Sequence, residues 1–140
     1  MESPSYDIFL SYPGGGIKDS ANVRRLGEEL EQHGLRPWIA GREHGHLDGE
    51  SKAEILEVLA QAPIFVSCLG VREQRQWGEE EIAQALRRAK QDPYFRTCAL
   101  LLPGSDPERL GVLPPSMRST VFDLREGLEN VDKLVAFCRH

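Results

Sequence analysis

Trp77 and Glu81 stand four residues apart in the run Gln76-Trp77-Gly78-Glu79-Glu80-Glu81-Ile82. In a helix that spacing sets an aromatic ring and a carboxylate on one side. The run follows a short apolar strand, Ile64-Phe65-Val66-Ser67-Cys68. A lone acidic group beside an aromatic, near the carboxyl end of a strand, suits chemistry on a cationic leaving group. Such a group departs neutral, and the positive charge left behind is what a carboxylate stabilises. The plainer account of Glu81 is a solvated glutamate in a first helical turn, where negative charge is favoured.

Other potentially reactive residues offer less. His44 and His46 form a His-Gly-His in a charged loop, without the further ligands a metal would need. Cys68, Cys98 and Cys138 are widely spaced and form neither a CxxC pair nor a zinc pattern. They read as small buried hydrophobes in a reducing cytosol. No cofactor is expected. The net charge of −5 argues against general affinity for nucleic acid or an anionic membrane. No run of 18 apolar residues is present. The start, Met1-Glu2-Ser3-Pro4-Ser5, lacks a basic segment followed by an apolar one, so a cytoplasmic location is expected.

The elements that position Glu81 alternate strand and helix over residues 1–140, one domain by length. Tyr6 to Tyr12 reads as the first strand and Ser20 to His33 as a helix, capped by Asp19 or Ser20 and stopped at Gly34. Leu35 to Ile39 is a second strand, at an edge because of Pro37. Ser51-Lys52-Ala53-Glu54 is a capping box opening a helix with an Ile55, Val58, Leu59, Ala62 stripe. Ile64 to Cys68 is a central strand, apolar on both faces. The Trp77 helix follows, with Ile82, Ala85, Leu86 and Ala89 as its stripe. Thr97 to Leu102 and Thr120 to Leu124 complete five strands, with a Pro/Gly-rich stretch between them. Val131, Leu134, Val135 and Cys138 mark a last helix. Right-handed crossovers then predict an α/β, flavodoxin-like three-layer sandwich, its parallel sheet ordered 2-1-3-4-5 with helices on both faces. In that order the winding reverses between strands one and three, where ligands bind. The loops that meet there begin at Ser11-Tyr12-Pro13-Gly14 and at Ser67-Cys68-Leu69-Gly70.

Five segments in order resemble a Toll/interleukin receptor (TIR) domain. Tyr6-Asp7-Ile8-Phe9-Leu10-Ser11-Tyr12 is similar to the family's opening box. Gly34-Leu35-Arg36-Pro37-Trp38-Ile39 resembles its second strand, and Leu47-Asp48-Gly49-Glu50-Ser51 its loop-to-helix segment. Phe65-Val66-Ser67 resembles the third strand, and Trp77 to Ile82 the helix start that carries a tryptophan and a glutamate. Enzymatic members cleave nicotinamide from NAD, and by resemblance their essential carboxylate falls at Glu81. The resemblance implies release of nicotinamide and formation of ADP-ribose, or of a cyclic ADP-ribose if the adenine attacks in place of water. It also implies self-association with other TIR domains, a fused or associated sensor domain, and a role as an immune or stress effector.

Substrate-binding candidates each carry two readings. Tyr12 stacks on nicotinamide or adenine, or packs on its own loop. Ser11 and Ser67 hydrogen-bond the ligand, or bond nearby backbone. Gly14 permits close approach of a ligand phosphate, or is part of a flexible loop. Trp38 walls the pocket or packs in the core, and Trp77 supports Glu81. The competing function is a non-catalytic adaptor working through TIR–TIR contacts, since fold and motifs are shared. A phospho-receiver is excluded. Strand one ends in Ser11-Tyr12 and strand three in Ser67-Cys68, without the required aspartate, and strand five lacks a lysine.

Overall fold

The computed structural model describes residues 6–11, 17–39, 57–70 and 79–139, with backbone alone for 17–20, 79–81 and 112. Five strands form one parallel sheet: β1 (Ile8–Ser11), β2 (Pro37–Ile39), β3 (Ile64–Leu69), β4 (Arg96–Leu101) and β5 (Val121–Asp123). Their order is β2-β1-β3-β4-β5, as the crossover argument requires. The helices are α1 (Ile17–Gln32), α2 (described over residues 57–61), α3 (Glu79–Gln91) and α4 (Asp132–Arg139). The Pro/Gly-rich stretch holds two 3₁₀ turns, Pro107–Val112 and Pro115–Met117.

The sheet divides the core in two. Ile8, Leu10, Ile64, Val66, Cys68, Cys98 and Leu100 meet α1 and α4 through Val23, Leu26, Leu30, Leu134 and Val135. Phe9, Phe65, Leu69, Ala99 and Leu101 meet α2, α3 and the 3₁₀ turns through Leu59, Ala85, Leu113 and Met117. Strand alternation alone sorts these residues. All six residues of β3 are buried, as a central parallel strand demands.

Element ends differ from the sequence expectation in ways with local causes. Helix α1 begins at Ile17, so Asp19 and Ser20 lie inside its first turn instead of capping it. An acidic residue is favourable in either place, which hides the boundary. Strand β2 is confined to Pro37–Ile39. Ahead of it, the Arg36 N–H donates to the Asp7 carboxylate (2.8 Å) and the Asp7 N–H to the Arg36 carbonyl (2.8 Å). That clamp replaces further ladder bonds. Ala89 is exposed, contrary to its place in the expected α3 stripe. The last turn of α3 is seated by Arg88, whose guanidinium lies 4.3 Å over the Phe95 ring and donates to the carbonyls of Leu59 (2.8 Å) and Ala62. Arg88 thus caps the end of α2. The Ser51–Glu54 capping box and Ile55 fall outside the described residues.

Gly34 ends α1 with φ +84°. Its N–H donates to Glu31 (3.0 Å) and the Leu35 N–H to Leu30 (3.1 Å), which is the Schellman arrangement. Leu30 and Leu35 are buried in the same cluster, so the turn also delivers the chain to β2. Gly34→Ala forces a left-handed conformation on an L-residue and is expected to cost about 1 kcal/mol. Thermal unfolding should register it as a melting temperature lower by about 3 °C.

Candidate functional site

At the carboxyl half of the sheet, Ser11 and Ser67 are register partners on adjacent strands β1 and β3. Two residues earlier, Phe9 and Phe65 are partners in the same way. The rings of Trp38, Phe9 and Phe65 form a row, with centroids 5.0 and 5.5 Å apart and interplanar angles of 26° and 17°. Each such contact is worth about 0.5–1.5 kcal/mol beyond burial. Ser67 has Ala99 of β4 as its next partner. An aromatic row therefore lies directly below a row of small residues, Ser11, Ser67 and Ala99, all on the α2/α3 face.

Helix α3 runs antiparallel to the strands, which puts its first turn at their carboxyl ends. Glu79, Glu80 and Glu81 form that turn. The backbone of Glu81 lies one turn ahead of Ala85, whose side chain is fully buried against the α2/α3 face. The side chain of Glu81 is outside the described residues, as are Tyr12, Gly14 and Trp77 in full. So are His44 and His46.

Of the described candidates, Ser11 (0% exposed) and Ser67 (1%) are brought side by side at the winding reversal. Trp38 is half-buried and stacked on Phe9, so it belongs to the aromatic row. Three contributors escaped sequence reasoning: Phe9, Phe65 and Ala99. A signal for the first two was present. Phe9-Leu10-Ser11 and Phe65-Val66-Ser67 repeat one pattern, aromatic, aliphatic, serine, in two strands that pair in register.

The two serines differ in their interactions. Ser11 has an interaction partner, whereas the Ser67 Oγ and the Asn22 Nδ2 find no hydrogen-bond partner among the described residues. An unsatisfied buried hydroxyl costs about 1–3 kcal/mol.

Features elsewhere are structural. Asp123, at the end of β5, accepts from the Arg125 guanidinium at 2.7 and 2.9 Å and from its backbone N–H at 3.1 Å. The side-chain hydrogen bonds hold its carboxyl down at about 2. This pair sits at the β5 edge of the sheet, with β3 and β4 between it and β1. A cleft of about 360 Å³ lined by Ala60, Gln84, Arg87, Arg88, Gln91 and Asp92 lies along the later turns of α3, away from the strands' carboxyl ends. Among the described residues no group of three or more His, Cys, Asp or Glu side chains could hold a metal ion. No described helix is long and apolar enough to cross a membrane.

The doubly wound sheet, with its paired serines and acidic helix start, defines a flavodoxin-like α/β domain whose winding reverses between β1 and β3. A family model described as the TIR domain matches residues 8–137, and the chain belongs to that family. No curated protein matches the chain.

None of the three cysteines is in a disulfide; Cys68 and Cys98 are buried and Cys138 partly so. Burial pushes the Cys68 and Cys98 thiols far above their ordinary value near 9, and that of Cys138 up to about 11. A thiol whose value is raised by folding adds stability that is intact below its unfolded value and is lost as pH climbs past it. Urea unfolding should therefore show stability falling above about pH 9. For Cys68, which stays protonated in the fold, the loss is about 1.4 kcal/mol per pH unit. Cys68→Ala should flatten that decline relative to the wild type.

Proposed function

We propose that this TIR domain is an NAD nucleosidase, with Glu81 as its catalytic carboxylate. The observation that carries the proposal is the meeting of the β1 and β3 carboxyl ends, where Ser11 and Ser67 pair, on the sheet face covered by the helix that begins at Glu79-Glu80-Glu81. Membership of a family with NAD-cleaving members supports the same reading.

The chemistry asks little of the protein. Nicotinamide bound to ribose is already cationic, so it leaves neutral with the bonding electron pair of the C–N bond. No general acid is required, unlike ordinary glycoside hydrolysis. As the bond lengthens, positive charge spreads over the ribose ring oxygen and anomeric carbon. A carboxylate at Glu81 stabilises that charge or fixes the ribose hydroxyls. The first turn of a helix suits it, because the N-terminal end of the helix dipole favours the anion. Water then attacks the anomeric carbon and loses a proton to give ADP-ribose, while attack by the adenine of the same molecule gives a cyclic product.

Around this group we assign Ser11 and Ser67 to hydrogen bonding of substrate from the two strand ends. Tyr12 is assigned to stacking and Gly14 to close approach of the phosphates. Trp38 walls the pocket, and Trp77 supports Glu81. The domain works in the cytoplasm as an immune or stress effector. A fused or associated sensor domain, together with contacts between TIR domains, switches it on.

The decisive measurement is NAD consumption by concentrated or crowded protein, with chromatographic identification of products. Glu81→Gln and Glu81→Ala should each lower kcat about 100- to 1,000-fold, the range typical of removing one electrostatic stabiliser. Variants that consume NAD as fast as wild type would refute the assignment of Glu81. A folded, assembled wild type that leaves NAD intact would instead favour the adaptor.

A further inference from the structure

Ser67 is the one polar residue of β3, set among Ile64, Phe65, Val66, Cys68 and Leu69. The residue is 1% exposed, and its hydroxyl finds no hydrogen-bond partner among the described residues. Buried hydroxyls seldom stay unpartnered, because desolvation without a bond is returned by nothing in the fold. An alanine would fill nearly the same space without that penalty. The usual fate of a strand serine, capture by nearby backbone, does not apply here. Among the described residues, the second such atom is the Asn22 Nδ2, in the second turn of α1, which also lies toward the strands' carboxyl ends. The two belong to opposite faces of the sheet.

We infer that Ser67 is a positioning residue, whose hydroxyl hydrogen-bonds the nicotinamide–ribose half of NAD once substrate is bound. The inference rests on the nucleosidase reading and identifies which part of the substrate this residue holds. The half follows from the sheet face. Alternation puts residue 67 with Phe65 and Leu69 on the α3 side, and the first turn of α3 carries Glu81. Asn22 belongs to α1, on the other side. A polar atom on Glu81's side of the sheet meets the half of the molecule in which the bond breaks. The stacked aromatic row, Trp38, Phe9 and Phe65, packs directly below the serine.

A residue retained for substrate at the expense of the fold makes opposite demands on stability and binding. Ser67→Ala of the 140-residue chain should melt at the same temperature as wild type or higher. Its KM for NAD should rise about 5- to 20-fold, the value of one hydrogen bond, with kcat altered less than threefold. In competition assays nicotinamide mononucleotide should weaken by a similar factor, while ADP, which lacks that half, should bind unchanged. A lower melting temperature would mean the hydroxyl serves the fold, and would overturn the inference. So would unaltered NAD kinetics, or equal weakening of ADP. A wild type that neither cleaves NAD nor binds either probe would remove the nucleosidase reading itself and this inference with it. That pattern is distinct from a failure confined to Ser67→Ala.

Discussion

The parallel pairing of β1 with β3 is the constraint from which the rest of the domain follows. It places two strands side by side that are far apart in sequence, so both connections must cross over a face of the sheet. Right-handedness sends α1 to one face and the helices beyond β2 and β3 to the other. Both pairs of layers then close on the central strands, and β3, buried along its whole length, is apolar except at one position. The same pairing sets Phe9 beside Phe65 and Ser11 beside Ser67. One register thus builds the packed aromatic row and the polar spot above it.

The sheet order, the five strands and the helices flanking them were legible in the sequence, because period-2 and period-3.6 patterns report burial directly. The central strands were the clearest: Ile64 to Leu69 has no polar alternation to blur it. Ends were less legible. Asp19 reads equally well as a cap or as a first-turn acid, and the helix includes it. The expected burial of Ala89 failed because spacing treats all alanines alike. It does not foresee that a neighbouring arginine would use its aliphatic stem and guanidinium to seat that turn. The Pro/Gly-rich stretch was readable only as a break. Its 3₁₀ turns depend on Leu113 and Met117 finding the far side of the sheet, a tertiary matter.

The candidate site was legible in outline. Sequence brought Ser11 and Ser67 to the winding reversal, and the structure makes them register partners. Glu81 falls on the first turn of α3, while Trp77, four residues before it, lies outside the described residues. The difference between the two serines was invisible in sequence, since both follow an aromatic and an aliphatic residue. Only packing reveals that Ser11 has a partner and that the Ser67 hydroxyl finds none among the described residues. Local polarity and local satisfaction are separate quantities, and the second requires three dimensions.

Among the described residues both outer strands are three residues long, and β2 opens on Pro37, which has no N–H to offer. A neighbouring molecule would find almost no backbone ladder to extend. Any higher-order array of these domains must then be stitched through side chains on helices and connecting segments, so its contacts are tunable one substitution at a time. Such an array can come apart as readily as it forms, unlike a growing cross-β stack, whose hydrogen-bonded spine resists reversal.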